Sequence, residues 1–240
     1  MARPEDTPVA ILCGGRGTRL QERTHAIPKA LVEIGGRPIV WHVIQIYLAH
    51  GFREIHLLTG YLGEQIAAFA AAEPWPPGVR VACVETGADT PTGGRVALAA
   101  SRLGDRTCCV TYGDGVADID LAALLDGHTA SGMAATMTVV RPVLQFGVAE
   151  VDGTDRITGF VEKPRSEHWV NGGFLCLEPE AIAQIRPAEV LEQGPLARLA
   201  EAGRLRAHRH EGFWDCMDTY KDAVLLNDLY DRGEAPWRRW

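Results

Sequence analysis

Apolar residues in this chain fall in short unbroken runs separated by polar, glycine-bearing turns, and between the runs apolar positions recur every three or four residues. The runs at residues 9–13, 54–59, 79–85 and 107–111 predict strands, the first and the last of them buried. Helical spacing marks Val40, Val43, Ile44, Tyr47 and Leu48 up to Gly51. It returns over residues 63–72, as far as Pro74, Pro76 and Pro77, and again over residues 96–103. This alternation predicts a parallel sheet with helices on its faces. Residues 85–95, polar and glycine-bearing, are expected as a loop between strand and helix.

After residue 120 the rhythm shortens. Asp118 and Asp120 precede a helix over residues 121–128 and suit its cap better than a ligand set. Residues 134–140, 146–152, 157–161 and 171–177 predict short strands of a mixed sheet that carries a second substrate. Helices are expected at 179–185, 190–202 and 220–232, the last capped by Thr219, with a strand at 205–210. The fold class expected is α/β, with 1–240 forming a single domain and nothing resembling a linker.

Composition narrows the function. A hydrophobic content of 46% fills a substantial core, and a net charge of −7 excludes a broad surface for nucleic acid or anionic membrane. Cationic residues must therefore work locally. The six cysteines form no CxxC pair and most sit in apolar runs, so they are expected as reduced core residues. Residues 1–7 lack an apolar leader and no later run is long enough to span a bilayer, so the expected location is cytoplasmic.

Candidate chemistry begins where the first strand empties into Gly14-Gly15-Arg16-Gly17-Thr18-Arg19-Leu20, followed by Pro28-Lys29. Glycines let backbone N–H groups approach a polyphosphate, while an arginine fork and a lysine point charge neutralise it. Leu20 replaces the third glycine of a dinucleotide fingerprint and no GK[ST] occurs, so neither common phosphate loop fits. An ordinary glycine turn remains an equal reading of the glycines alone. Asp114, between Gly113 and Gly115 at a strand end, suits a metal ligand or a simple Asp-Gly turn. The segment around Thr92-Gly93-Gly94-Arg95 could read a base edge or merely connect two elements. Glu162-Lys163 and Asn171 carry groups that could meet a sugar phosphate, and an acidic residue in 212–220 is a candidate partner for Asp114. His208 and His210 share a strand face but lack an evident third metal ligand.

In order, GGRGTRL, PKALVEIGGRPI, TGGR, TYGDGVADIDL, FG, EKP, NGGF, GFWDCMDT and the closing APWRRW resemble the sugar-1-phosphate nucleotidylyltransferases, and among them the glucose-1-phosphate cytidylyltransferases. The resemblance implies a Rossmann-like, glycosyltransferase-A-like nucleotidyltransferase domain, three-layer α/β/α, with a mixed and mainly parallel sheet. The part up to about residue 120 would bind nucleotide and the remainder the sugar phosphate. The implied reaction joins CTP and α-D-glucose 1-phosphate into CDP-glucose and pyrophosphate with Mg²⁺ as cofactor. Leu12, Gly14, Gly15, Gly17, Thr18, Arg19, Lys29 and Gly113 would hold the nucleotide, with cytosine near Thr92, Gly93 and Arg95. Asp114 and Asp218 would hold the metal. Gly147, Glu162, Lys163, Asn171 and Gly172 would hold the sugar phosphate, and Arg19, Lys29, Asp114 and Lys163 would be catalytic. Another nucleoside triphosphate, another sugar or cyclitol phosphate, and a non-catalytic nucleotide sensor are the alternatives. No nucleic-acid or membrane partner is implied, and homo-oligomerisation stays open.

Overall fold

The first apolar run becomes an interior strand with both faces covered. The computed structural model describes residues 2–17 and 26–240. In chain order its elements are β1 (Pro8–Leu12), β2 (Glu33–Ile34), β3 (Arg37–Pro38), α1 (Ile39–Ala49), β4 (Glu54–Thr59), α2 (Gly63–Ala72) and β5 (Arg80–Glu85). Next come α3 (Thr92–Leu103), β6 (Cys108–Tyr112), β7 (Gly115–Ala117), α4 (Leu121–Ser131) and β8 (Ala135–Val140). The remainder comprises β9 (Val148–Val151), β10 (Ile157–Val161), β11 (Val170–Leu177), α5 (Pro179–Ala183), α6 (Pro195–Glu201), β12 (Leu205–Arg209), β13 (Trp214–Cys216) and α7 (Tyr220–Asp231).

A seven-stranded sheet runs β12-β8-β11-β6-β1-β4-β5. β11 is antiparallel to both its neighbours and every other pairing in the sheet is parallel. Side chains alternate across a strand, so Val9 and Ile11 enter one core with Val43, Ile44, Phe174 and Trp237, while Ala10 and Leu12 enter another with Val96, Leu103, Val110 and Leu199. Helices thus cover both faces of a Rossmann-like α/β sheet. Asp120 caps α4 by accepting from the Ala123 amide at 2.9 Å, and Thr219 forms a capping box with Asp222 on α7. All six cysteines are free thiols. Among the described residues no helix is long and apolar enough to cross a membrane.

Three expectations are corrected. α3 starts at Thr92, not residue 96, so the predicted loop supplies a first helical turn. Its two glycines lower helix propensity but allow close packing. A Cβ on Gly94 would lie 2.0 Å from the Pro187 carbonyl oxygen, and one on Gly93 would lie 2.6 Å from that of Glu189. The helix expected from residue 190 begins only at Pro195, whose ring suits the first helical turn, so residues 190–194 remain free to turn. Finally, β9 and β10 stand apart as a two-stranded arm instead of joining the mixed sheet. Their alternation is real but both apolar sets are exposed, Phe160 by 64% and Val151 by 60%.

Candidate active site

The parallel strands β1, β4, β5 and β6 end along one edge, where an open α/β sheet places its ligand crevice. A cleft of 790 Å³ lies there, lined by Leu12, the Gly14, Gly15 and Gly17 backbone, Lys29, Thr92, Tyr112, Asp114, Asn171, Glu192 and Asp218 among others. Gly14 is glycine because Arg95 lies against it. A Cβ at that position would fall 2.0 Å from a guanidinium nitrogen. That guanidinium, on a residue only 3% exposed, donates to the carbonyls of Gly14 (2.9 Å), Thr59 (2.9 Å), Gly87 (2.8 Å) and Ala88 (3.2 Å) and to the Thr86 hydroxyl (2.6 Å). Arg95 therefore fastens the loop after β1 to the loop after β5. Above it, Arg16 pairs with Asp89 at 2.8 Å and stacks on Tyr61.

At the centre, Lys29 Nζ donates to Asp114 at 2.5 Å and to Asp218 at 2.6 Å, so the two carboxylate oxygens are at most about 5 Å apart. Burial opposes the lysine's charge, but the carboxylates outweigh it and raise its pKa. Asp114 is delivered by the turn between β6 and β7, and Asp218 by the segment after β13, which pairs antiparallel with β7. Two hard oxygen donors side by side are of the kind that could hold a divalent cation such as Mg²⁺. Among the described residues no group of three or more acidic, histidine or cysteine side chains could hold a metal by itself.

The cleft offers no thiolate. Burial raises the Cys13 pKa well above its ordinary value and pushes Cys216 up to about 12. A further part of the wall is a hydrogen-bonded set that joins the expected Thr92 and Asn171 through Tyr112 and Glu192, two residues that sequence patterning misses. Tyr112 donates to Glu192, Thr92 donates to the same carboxylate at 2.8 Å, and Asn171 donates to Tyr112 at 3.0 Å. Trp214 Nε1 donates to the Gly172 carbonyl at 2.8 Å, tying β13 to β11. Tyr112 could have been found from its place at the end of a strand beside Gly113-Asp114. Glu192 carries no local signal.

Leu12, Gly14, Gly15, Gly17, Lys29, Thr92, Gly113, Asp114, Asn171, Gly172 and Asp218 are thus brought together in one cleft. Thr18 and Arg19 lie outside the described residues. Gly93 does not line the cleft, since it packs against residues 185–191, whereas Arg95 does line it while its guanidinium is bonded to the carbonyls of the flanking loops. Gly147, Glu162 and Lys163 are also absent from the lining. They belong to the arm, which leaves β8 after Val140 and returns at Val170, at the same sheet edge as the cleft. There Lys163 is half-exposed and lies 3.6 Å from Glu162.

A family model described as nucleotidyl transferase matches residues 9–203. The chain is 39% identical over 252 residues to a probable glucose-1-phosphate cytidylyltransferase of Bacillus subtilis, covering 96% of this chain and 98% of that protein. It is likewise 39% identical over 257 residues to the glucose-1-phosphate cytidylyltransferase of Salmonella typhi, with the same coverage. Among solved structures, HddC from Yersinia pseudotuberculosis matches with a TM-score of 0.74 at 20% identity, covering 93% of this chain and 99% of that one, which is a likeness of fold.

Proposed function

Because the chain belongs to the nucleotidyl transferase family, we propose that it joins CTP to α-D-glucose 1-phosphate, releasing pyrophosphate and forming CDP-glucose. That it is a sugar-phosphate nucleotidyltransferase follows from its relatives. The choice of cytidine and glucose rests on the names of the relatives at 39% identity. The observation that carries the mechanism is the close pair Asp114 and Asp218 around Lys29 at the end of the parallel strands.

A sugar phosphate is largely ionised near neutral pH, so its oxygen can attack the α-phosphorus without a protein base or nucleophile. The obstacle is the meeting of two anions. Asp114 and Asp218 would hold Mg²⁺, which when bound neutralises phosphate charge and orients the reacting groups. Lys29, already raised in pKa and unable to lose its charge at neutral pH, would shift from these carboxylates onto the departing phosphates. Gly14, Gly15 and Gly17 would offer backbone donors to the triphosphate, with Arg19 adding charge. Thr92 would stand at the base end of the cleft, and Asn171 with Gly172 at the sugar. Lys163 would approach the nucleophilic phosphate from the arm, with Glu162 and Gly147 beside it.

The direct test uses glucose 1-phosphate labelled with ¹⁸O in its phosphoryl group. Attack by the sugar phosphate leaves all of the label in CDP-glucose and none in pyrophosphate. Label in pyrophosphate, or no CDP-glucose at all, overturns the proposal.

A further inference from the structure

The hydrogen bonds on the Tyr112–Glu192 wall have directions that can be assigned donor by donor. The Gly173 amide can only donate, so Asn171 turns its Oδ1 toward it at 2.9 Å and offers Nδ2 to the Tyr112 oxygen at 3.0 Å. The Tyr112 hydrogen therefore goes to Glu192. From the other side the Leu191 amide donates to the Thr92 oxygen at 2.9 Å, and the Thr92 hydroxyl donates to the second Glu192 oxygen at 2.8 Å. Glu192 is thus an anion clamped by two hydroxyls, each oxygen retaining a lone pair, on the lining of the cleft.

Such a wall repels phosphate and carboxylate and is complemented only by a donor. The wall runs from Thr92 at the base end to Asn171 at the sugar end, and the Glu192 oxygen bonded to Tyr112, a single residue from Asp114, faces the sugar end of the cleft. We propose that Glu192 is a specificity-determining acceptor, binding hydroxyls of the sugar ring and excluding sugars that bear a carboxylate. This rests on the sugar-phosphate reading above and extends it to the substrate class, a neutral polyhydroxylated ring. The cytosine amine is the other donor chemistry that could meet this carboxylate.

The test measures pyrophosphate release with CTP and either glucose 1-phosphate or glucuronic acid 1-phosphate, in wild type and Glu192→Gln. Two unit charges a few ångströms apart in a partly shielded cleft should give the wild type at least about a hundredfold preference for glucose 1-phosphate. In Glu192→Gln the KM for glucose 1-phosphate should rise roughly tenfold, because a neutral acceptor replaces a charged one. The preference over the uronate should fall below about tenfold, with the KM for CTP unchanged. A merely structural role cannot improve relative use of the acidic sugar. Tyr112→Phe keeps the charge and should retain the wild-type preference while raising the KM for glucose 1-phosphate severalfold; loss of preference there overturns the charge argument even if Glu192→Gln does not fold. An undiminished preference in Glu192→Gln overturns the inference and leaves the functional reading standing. Lost discrimination between CTP and UTP, with sugar preference intact, overturns it by assigning Glu192 to the base. Failure of the wild type to turn over CTP with glucose 1-phosphate sinks the functional reading and the inference with it.

Discussion

Replacing Arg95 with lysine isolates what holds the loop after β1 in place. The guanidinium's two terminal nitrogens make five contacts, to four carbonyls and one hydroxyl, Nη1 sharing its two hydrogens among three of them. A lysine has three donors at a single point, so at least two of these contacts are lost. The Thr59 carbonyl keeps the Thr86 amide at 3.0 Å and hydroxyl at 2.5 Å, and the Gly14 carbonyl keeps the Tyr61 amide at 3.1 Å. The Gly87 and Ala88 carbonyls have no such second donor among the described residues and are the ones left exposed. At about 1.5 kcal/mol for each bond to a charged donor, Arg95→Lys should lower unfolding free energy by about 3 kcal/mol. The exposed Arg102→Lys should stay within about 0.5 kcal/mol of wild type. Guanidinium chloride unfolding reads the stability, and the KM for CTP, expected to rise severalfold as Gly14 loses its tether, reads the loop. A loss below about 1 kcal/mol together with an unchanged KM would refute the tether and return Arg95 to the ligand.

Other perturbations probe different parts of the account. Asp114→Asn should remain folded by circular dichroism and lose turnover at saturating Mg²⁺ by at least a hundredfold, about 3 kcal/mol of transition-state stabilisation; full activity would remove Asp114 from the metal site. Gly94→Ala, a change that in an open helix stabilises by about 1 kcal/mol, should instead destabilise by more than about 1 kcal/mol because the new Cβ meets the Pro187 carbonyl; a higher melting temperature would contradict that packing. His42 is buried neutral, with its Nε2 hydrogen bonded to the Ile34 carbonyl at 2.8 Å and its pKa lowered to about 4, first by burial. Its contribution of about 3 kcal/mol is present above pH 6.5 and lost as pH falls toward 4, whereas Asp215, raised to about 6 by burial, favours folding increasingly as pH falls below that value. His42→Asn should therefore flatten the fall in urea stability between pH 7 and 4.5, and an unchanged slope would show that another group drives it.

Much of this architecture is local and so is readable from the chain. A continuous apolar run as short as Val9–Leu12, bounded by a glycine turn, reads as a strand covered on both faces, and Thr219 ahead of the last helical run announces its cap. Lys29, Asp114 and Asp218 carry distinctive local motifs, although their convergence depends on contacts between residues 85 and 189 positions apart. What remained hidden was decided by packing. Gly93 and Gly94 read as a loop because glycine weakens helices, yet they form a helix start because residues 187–189 press against them. The arm alternates like a half-buried strand, but periodicity gives spacing and not what covers each face. Glu192 reaches the cleft only because Gly194-Pro195 delays the next helix, and its partners Thr92 and Tyr112 are 100 and 80 residues away.

The central claim is that the cleft joins a cytidylyl group to glucose 1-phosphate. Pyrophosphate release with Mg²⁺, measured for CTP, UTP, dTTP, ATP and GTP against glucose 1-phosphate and a panel of other sugar 1-phosphates, tests it most directly. The account predicts release with CTP and glucose 1-phosphate, abolished by Asp114→Asn. Release confined to a different pair would contradict the substrate assignment, and silence across the whole panel would contradict the proposed turnover itself.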